Sequence, residues 1–435
     1  MERNDPRYQA YVEILKEELI PAMGCTEPIA LAYAAAKARE VLGVLPDSVQ
    51  LQVSGSIIKN VKSVIVPNTG HLKGMEAAVA AGIIAGSAEK ELEVISEVSE
   101  EKKSAIRDYL QTVPITIEHT EQGHVFDIVV TERCGQDYAR VRIADYHTNI
   151  CRIEKNGTVL YEVPLLDETV QEEARADRSL LNMQDIWDFA ETADLRDVAD
   201  LLERQIRYNN AIAEEGLLGD YGANIGRVLL TTYGNDVSNR AKAKAAAGSD
   251  ARMNGCELPV IINSGSGNQG ITCSVPLIEY AKELHSGKEK LYRALIISNL
   301  VAIHEKTGIG TLSAYCGAVS AGAGAGAGIV YLCGDGYQAA IHTVVNALAI
   351  VSGIVCDGAK ASCAAKIASS VDAALLRKEL RRFVSSPTYM LNCGLGVVMM
   401  LVAAAALFIK GSAFSEMLHT VFEGSESVVY LLAAA

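Results

Sequence analysis

VFDIVVTERCGQDYARVRIADYHTNICRIEKNGTVLYEV, residues 125–163, decides the fold class of this 435-residue chain. Apolar, largely β-branched residues alternate with charged ones over 125–131, 138–144, 150–154 and 159–163, the two-residue period of half-buried strands. Asn156-Gly157, between the last two segments, is a hairpin turn, because both residues tolerate positive φ. A run of short antiparallel strands is predicted here, with another at 113–117.

Upstream, Tyr8, Tyr11, Val12, Leu15 and Leu19 recur at helical spacing before Pro21. Gly24-Cys25-Thr26-Glu27-Pro28 then opens an Ala-rich helix over 29–42, with Thr26 or Glu27 as N-cap and Pro28 at N1. Strands are predicted at 49–53 and 61–66, a small-residue helix at 75–87 and a polar stretch at 89–107. From about residue 167 the pattern is helical to the C-terminus. The fold class is therefore α+β. A mixed α/β part with antiparallel strands (1–166) precedes a mainly α-helical, Ala/Gly-rich domain (167–435), with the acidic stretch 167–177 as linker. Gly322, Gly324, Gly326 and Gly328 alternate with alanine, which predicts closely packed helices in a buried element.

Composition narrows the function. A net charge of −14 excludes a basic phosphate-binding surface, so nucleic acid is not an expected partner, nor is an anionic membrane surface. The polar first nine residues carry no secretory signal, and a cytoplasmic location is expected. The ten cysteines are then expected to be reduced, each buried or bound to something rather than paired. The apolar run at 343–356 is too short to span a bilayer; 389–409 is interrupted by Asn392 and glycines, so no membrane span is expected. Residues 376–435 form an atypical, apolar, Ala-rich tail.

Three constellations carry chemistry. Cys25 stands immediately before a helix start, where the amino-terminal field stabilises thiolate and lowers the pKa of a base or nucleophile. Residues 263–270, Asn-Ser-Gly-Ser-Gly-Asn-Gln-Gly, follow an apolar segment and precede a helix. Glycine there frees backbone N–H groups to curl around an anion, and Ser264, Ser266, Asn268 and Gln269 add side-chain donors. The spacing is neither a P-loop nor a Rossmann fingerprint, so a carboxylate is the favoured anion. Cys316, Cys356 and Cys363 form the third set. On one helix the last two would lie about 10.5 Å apart, but Asp357-Gly358 is a turn signal that would fold them together. Three thiolates suit either a cluster with one open iron or a zinc site completed by His304 or His342.

At these residues the chain resembles the L-cysteine desulfidases, which are related to the α-chain domain of iron–sulfur L-serine dehydratases. The matching segments are GCTEP at 24–28, VPNTG at 66–70, SGSGNQGI at 264–271, YCGAVSAGAGAGAG at 315–328 and GIVCDGAKASCA at 353–364. The resemblance implies a [4Fe–4S] cluster on Cys316, Cys356 and Cys363, with Cys25 as proton acceptor. It also implies cleavage of L-cysteine to sulfide, pyruvate and ammonia without pyridoxal phosphate, with deamination of L-serine as the alternative substrate choice. A non-catalytic amino-acid- or metal-binding protein is the alternative from another class, and a homo-oligomer is left open. The tail departs from the resemblance: the family ends in a charged, Gly-containing helical segment, and residues 376–435 do not.

Overall fold

The computed structural model describes residues 1–120, 124–163, 165, 175–310 and 312–376. Most of the predicted linker, and all of the tail beyond residue 376, lie outside these. Met1–Ala374 form one compact unit.

Its first half contains α1 (Pro6–Glu18), β1 (Pro21–Met23), α2 (Thr26–Leu42), β2 (Ser48–Val53), α3 (Gly55–Val61), α4 (Gly74–Ala85) and α5 (Glu100–Thr112). The strands β3 (Ile115–His119), β4 (Asp127–Cys134), β5 (Asp137–Ala144), β6 (Ile150–Lys155) and β7 (Thr158–Glu162) follow. They form one sheet in the order β3-β2-β4-β5-β6-β7, in which β2 and β3 run parallel and the other neighbours antiparallel. Asn156 and Gly157 both take positive φ (49° and 80°) at the β6–β7 turn, as the hairpin signal predicts. The long Ala-rich α2 packs on β4 and β5 and against α4, and is buried along most of its length.

Two expectations change. Residues 61–66 are not a strand: α3 occupies 55–61 and buries Ile57, Asn60 and Val61. The chain then doubles back through Asn68 and Gly70, both at positive φ, so that Val66 N–H bonds Leu72 O at 2.9 Å. Val61, Val64 and Val66 are buried while Lys62 and Ser63 are exposed, a short pattern that periodicity cannot separate from a strand. The polar stretch 89–107 also hides α5, capped by Ser99 and buried through Ile106 and Tyr109.

The second half is helical, as expected: α6 (Met183–Thr192), α7 (Ala199–Leu218), α8 (Ile225–Tyr233), α9 (Val237–Met253), α10 (Gly267–Glu283), α11 (Lys288–Ile309), α12 (Gly317–Leu332), α13 (Tyr337–Val351) and α14 (Ser362–Leu375). A short β8 (Pro259–Ile261) interrupts it. The glycine-alternating α12 is the buried centre and contacts α10, α11 and α13. Backbones meet there without side chains between them: a Cβ on Gly324 would lie 2.4 Å from the Ser298 carbonyl oxygen of α11. No described helix is long and apolar enough to cross a membrane.

Gly324→Ala therefore forces α11 and α12 apart and is expected to lower stability by about 1–3 kcal/mol. Urea unfolding of the variant checks this; a midpoint equal to that of the unsubstituted protein would contradict the packing.

Candidate active site

Cys25 and the 263–270 loop, some 240 residues apart in the chain, are brought together by a two-stranded ribbon. β1 pairs antiparallel with β8, with Pro21 opposite Ile261 and Met23 opposite Pro259. The antiparallel strands exit at opposite ends, Met23 beside Pro259 and Ile261 beside Pro21. The loop turns back where Asn263 and Ser266 bond each other, so that Thr26 Oγ1 donates to Gly265 O at 2.9 Å. Buried amides hold the ribbon from behind. Asn209 donates to Ile261 O (3.0 Å) and accepts from Ile261 N (2.8 Å). Asn263 donates to Asn299 Oδ1 at 3.0 Å, and Asn299 exchanges two 2.9 Å bonds with Gln205. The loop turns at Ser264 and Gly265, both at positive φ, and enters α10 at Gly267.

Cys25 is the N-cap of α2, one or two residues before the predicted Thr26 or Glu27, so Pro28 is the third helical residue rather than the first; it still lies in the first turn, where an N–H is not required. The thiol is buried with Val64 and Met253, and Cys363 and Ala359 pack against this cluster. Its Sγ donates to Glu27 Oε2 at 3.0 Å, while Glu27 Oε1 accepts from Asn60 Nδ2 at 2.8 Å. The expected lowering of the Cys25 pKa is overturned. Burial first, and the Glu27 charge second, push the thiol well above its ordinary value. An amino-terminal field acts weakly on a group that has lost its water. Burial alone would push the Glu27 carboxyl up, but facing His147, the Cys25 hydrogen bond and Arg252 outweigh it and hold the group ionised.

The four loop side chains differ in place. Ser264 Oγ is spent on Asn263 Oδ1 at 2.9 Å, and Ser266 caps α10 without a side-chain bond. Asn268 Oδ1 and Gln269 Oε1 are buried without a partner among the described residues. The Gln269 amide lies against Gly317, the residue after Cys316, so close that a Cβ there would sit 2.6 Å from its Cδ.

Cys316 and Cys356 flank an antiparallel bridge between Tyr315 and Val355, with Cys316 N bonded to Ile354 O at 3.1 Å and Cys356 N to Ala314 O at 2.6 Å. The preceding helix ends at Val351, before the Asp357-Gly358 turn signal, and α14 starts at Ser362, so a bend at 352–361 carries Cys363 back. The thiols of Cys316 and Cys363 are raised first by burial and further by their neighbouring cysteines. Lys306 faces the same group; burial lowers it to about 8, against the pull of Cys356 and Cys316.

Among the described residues no three His, Cys, Asp or Glu groups converge on one point as a single ion requires. A four-iron cluster makes a different demand, because each protein thiolate binds a separate iron and the sulfurs need only face one space. Cys316, Cys356 and Cys363 come from separate elements, feel one another's charge beside Lys306 and Lys366, and are soft thiols of the kind that donor set takes.

Two groups were not singled out from the sequence. His147, in the β5–β6 connection, meets the edge of Phe126 at 4.7 Å between centroids and faces Glu27. Arg252, in the last turn of α9, faces Cys25, Glu27 and Cys363. The signal for Arg252 was present, since a charge directly after the small-residue run 245–251 must be buried if the helix is. Nothing local marks His147.

The family described as serine dehydratase alpha chain matches residues 89–382. That span contains Arg252, the Gly-rich loop and Cys316, Cys356 and Cys363, and begins after Cys25. A UPF0597 protein of Desulfitobacterium hafniense is 61% identical over 376 residues, covering 86% of this chain and 87% of the relative. UPF0597 proteins of Lachnoclostridium phytofermentans (54% over 369 residues; 85% and 88% covered) and Treponema denticola (47% over 385 residues; 87% and 89%) are similar over comparable lengths.

Burial holds the His147 imidazole below its ordinary 6.5, with Glu27 opposing. A depressed folded value means that this contribution to stability is whole above about pH 6.5 and is lost as pH falls through the folded value. His147→Gln is expected to flatten the fall of the urea midpoint between about pH 8 and pH 5. An unchanged slope would show that the ring is not held neutral.

Proposed function

We propose that this chain, which belongs to the serine dehydratase alpha chain family and to the UPF0597 proteins, is an iron–sulfur-dependent lyase that cleaves L-cysteine to sulfide, pyruvate and ammonia. The observation that carries this is the junction of Cys25 with Cys363: the candidate base and the cysteine set share one buried cluster. Cys316, Cys356 and Cys363 would hold a [4Fe–4S] cluster, which supplies an iron without a protein thiolate as Lewis acid for the leaving group.

The chain's own residues handle the proton. Cys25 must first shed its own, and Glu27 Oε2 at 3.0 Å is the acceptor in contact. Asn60 holds that carboxylate in place through Oε1, so Oε2 receives a proton without reorienting. The Cys25 thiolate then takes the Cα proton as HS⁻ leaves Cβ. The resulting enamine tautomerises to the imine, and water releases pyruvate and ammonia. Val64, Met253 and Ala359 around Cys25 give the proton transfer a dry, apolar setting.

L-serine is the second reading, favoured by the serine dehydratase alpha chain match. The chemistry is the same with water as leaving group.

Protein purified without oxygen is expected to be brown and to release sulfide and pyruvate in equal amounts from L-cysteine. Replacing Cys316, Cys356 or Cys363 by alanine should remove iron and activity together. Cys25→Ala should keep the colour and lose activity by about 100-fold or more. Colourless wild-type protein with no iron or acid-labile sulfide would overturn the proposal, and pyruvate from L-serine but not L-cysteine would move it to the second substrate.

A further inference from the structure

Arg252 is 2% exposed, and it makes no hydrogen bond or ion pair with any other described residue. Its Nε is buried without a partner. An uncompensated buried cation is strongly unfavourable, and a carboxylate close enough to pair with it would remove the cost. Glu27 faces it and feels its charge but forms no ion pair with it, and that carboxylate is held instead by Cys25 and Asn60.

The surroundings point the guanidinium at the site. It presses on the first residue of α10: a Cβ on Gly267 would lie 2.3 Å from Arg252 Nε, so a side chain there would displace it. Ser266 leaves the amino end of that 17-residue helix without a side-chain cap. Free N–H groups and a planar, forked cation thus adjoin, a pairing suited to a carboxylate. Close by, the side-chain oxygens of Asn268 and Gln269 are buried acceptors in want of a donor. Unmet cation and unmet acceptors together are complementary to the two ends of a zwitterion.

We propose that Arg252, with the uncapped start of α10, is the receptor for the substrate's α-carboxylate, and that the Asn268 and Gln269 side-chain oxygens take its α-ammonium group. This rests on the lyase proposal for the assignment of an amino acid as substrate. It sets Cα toward Cys25 and the β-substituent toward the cysteine set, and Arg252 discriminates against amines that lack a carboxylate.

The test uses three unreactive probes on anaerobically purified full-length protein: L-alanine, ethylamine, which lacks the carboxylate, and propionate, which lacks the ammonium. Thermal shift and equilibrium binding should show L-alanine strongest, propionate weaker and ethylamine absent. In Arg252→Gln, L-alanine affinity should fall about 100-fold and KM should rise more than kcat changes, the loss expected on truncating a buried charged partner. Without ligand this variant should melt at or above the wild-type temperature, since an unpaired buried charge has gone. Arg252→Lys should bind with intermediate affinity. Unchanged L-alanine affinity in Arg252→Gln, no L-alanine binding by wild type, or low melting of both variants without ligand would each overturn the proposal. If no lyase activity is found but L-alanine binding depends on Arg252, the receptor stands and the lyase proposal falls. If activity is found with wild-type KM in Arg252→Gln, the reverse holds.

Discussion

The antiparallel pairing of β1 with β8 is the constraint on which the site depends. Each strand is three residues long, too short to be stable alone. Their hold comes from buried amides: Asn209 replaces a missing sheet neighbour by bonding both the N–H and the carbonyl of Ile261. Asn263, Asn299 and Gln205 continue the network behind the loop. Because every one of these side chains is buried, losing one partner strands another without water, so the ribbon behaves as one unit.

Around that ribbon the electrostatics are set by burial more than by dipoles. Cys25 stands at a helix start yet is kept protonated, because dehydration and Glu27 act in the same direction. Glu27, equally buried, stays charged because its partners surround it. The same environment leaves Arg252 with no partner of its own. A site that stores an unmet cation, unmet amide oxygens and a protonated thiol is less stable than an apolar core would be, the usual trade between stability and function.

The glycine-alternating α12 connects this site to the rest of the helical assembly. Its amino end is Cys316, held by the short bridge to 354–356, and its body packs backbone to backbone on α11. Rigid packing along the helix therefore fixes where the first cysteine stands relative to Gln269 and the loop.

The β-period of 125–163, the Asn156-Gly157 turn, the Ala-rich α2 and the close packing of α12 were legible in the sequence, because each is a local pattern of side-chain alternation, turn chemistry or residue size. So were the three chemical motifs, each a short contiguous segment. The sequence could not tell that residues 61–66 end a short helix and enter a turn, since three buried valines over six residues suit either state. Nor could it tell the protonation of Cys25, the setting of His147 or the isolation of Arg252. Those follow from which distant groups share a water-free space, and the fold alone assembles them: β1 and β8 join residues 21–27 to 259–270, and the bend after α13 returns Cys363 to Cys25. Local chemistry named the parts, while desolvation, which exists only once the chain has closed around them, decided their charges and partners.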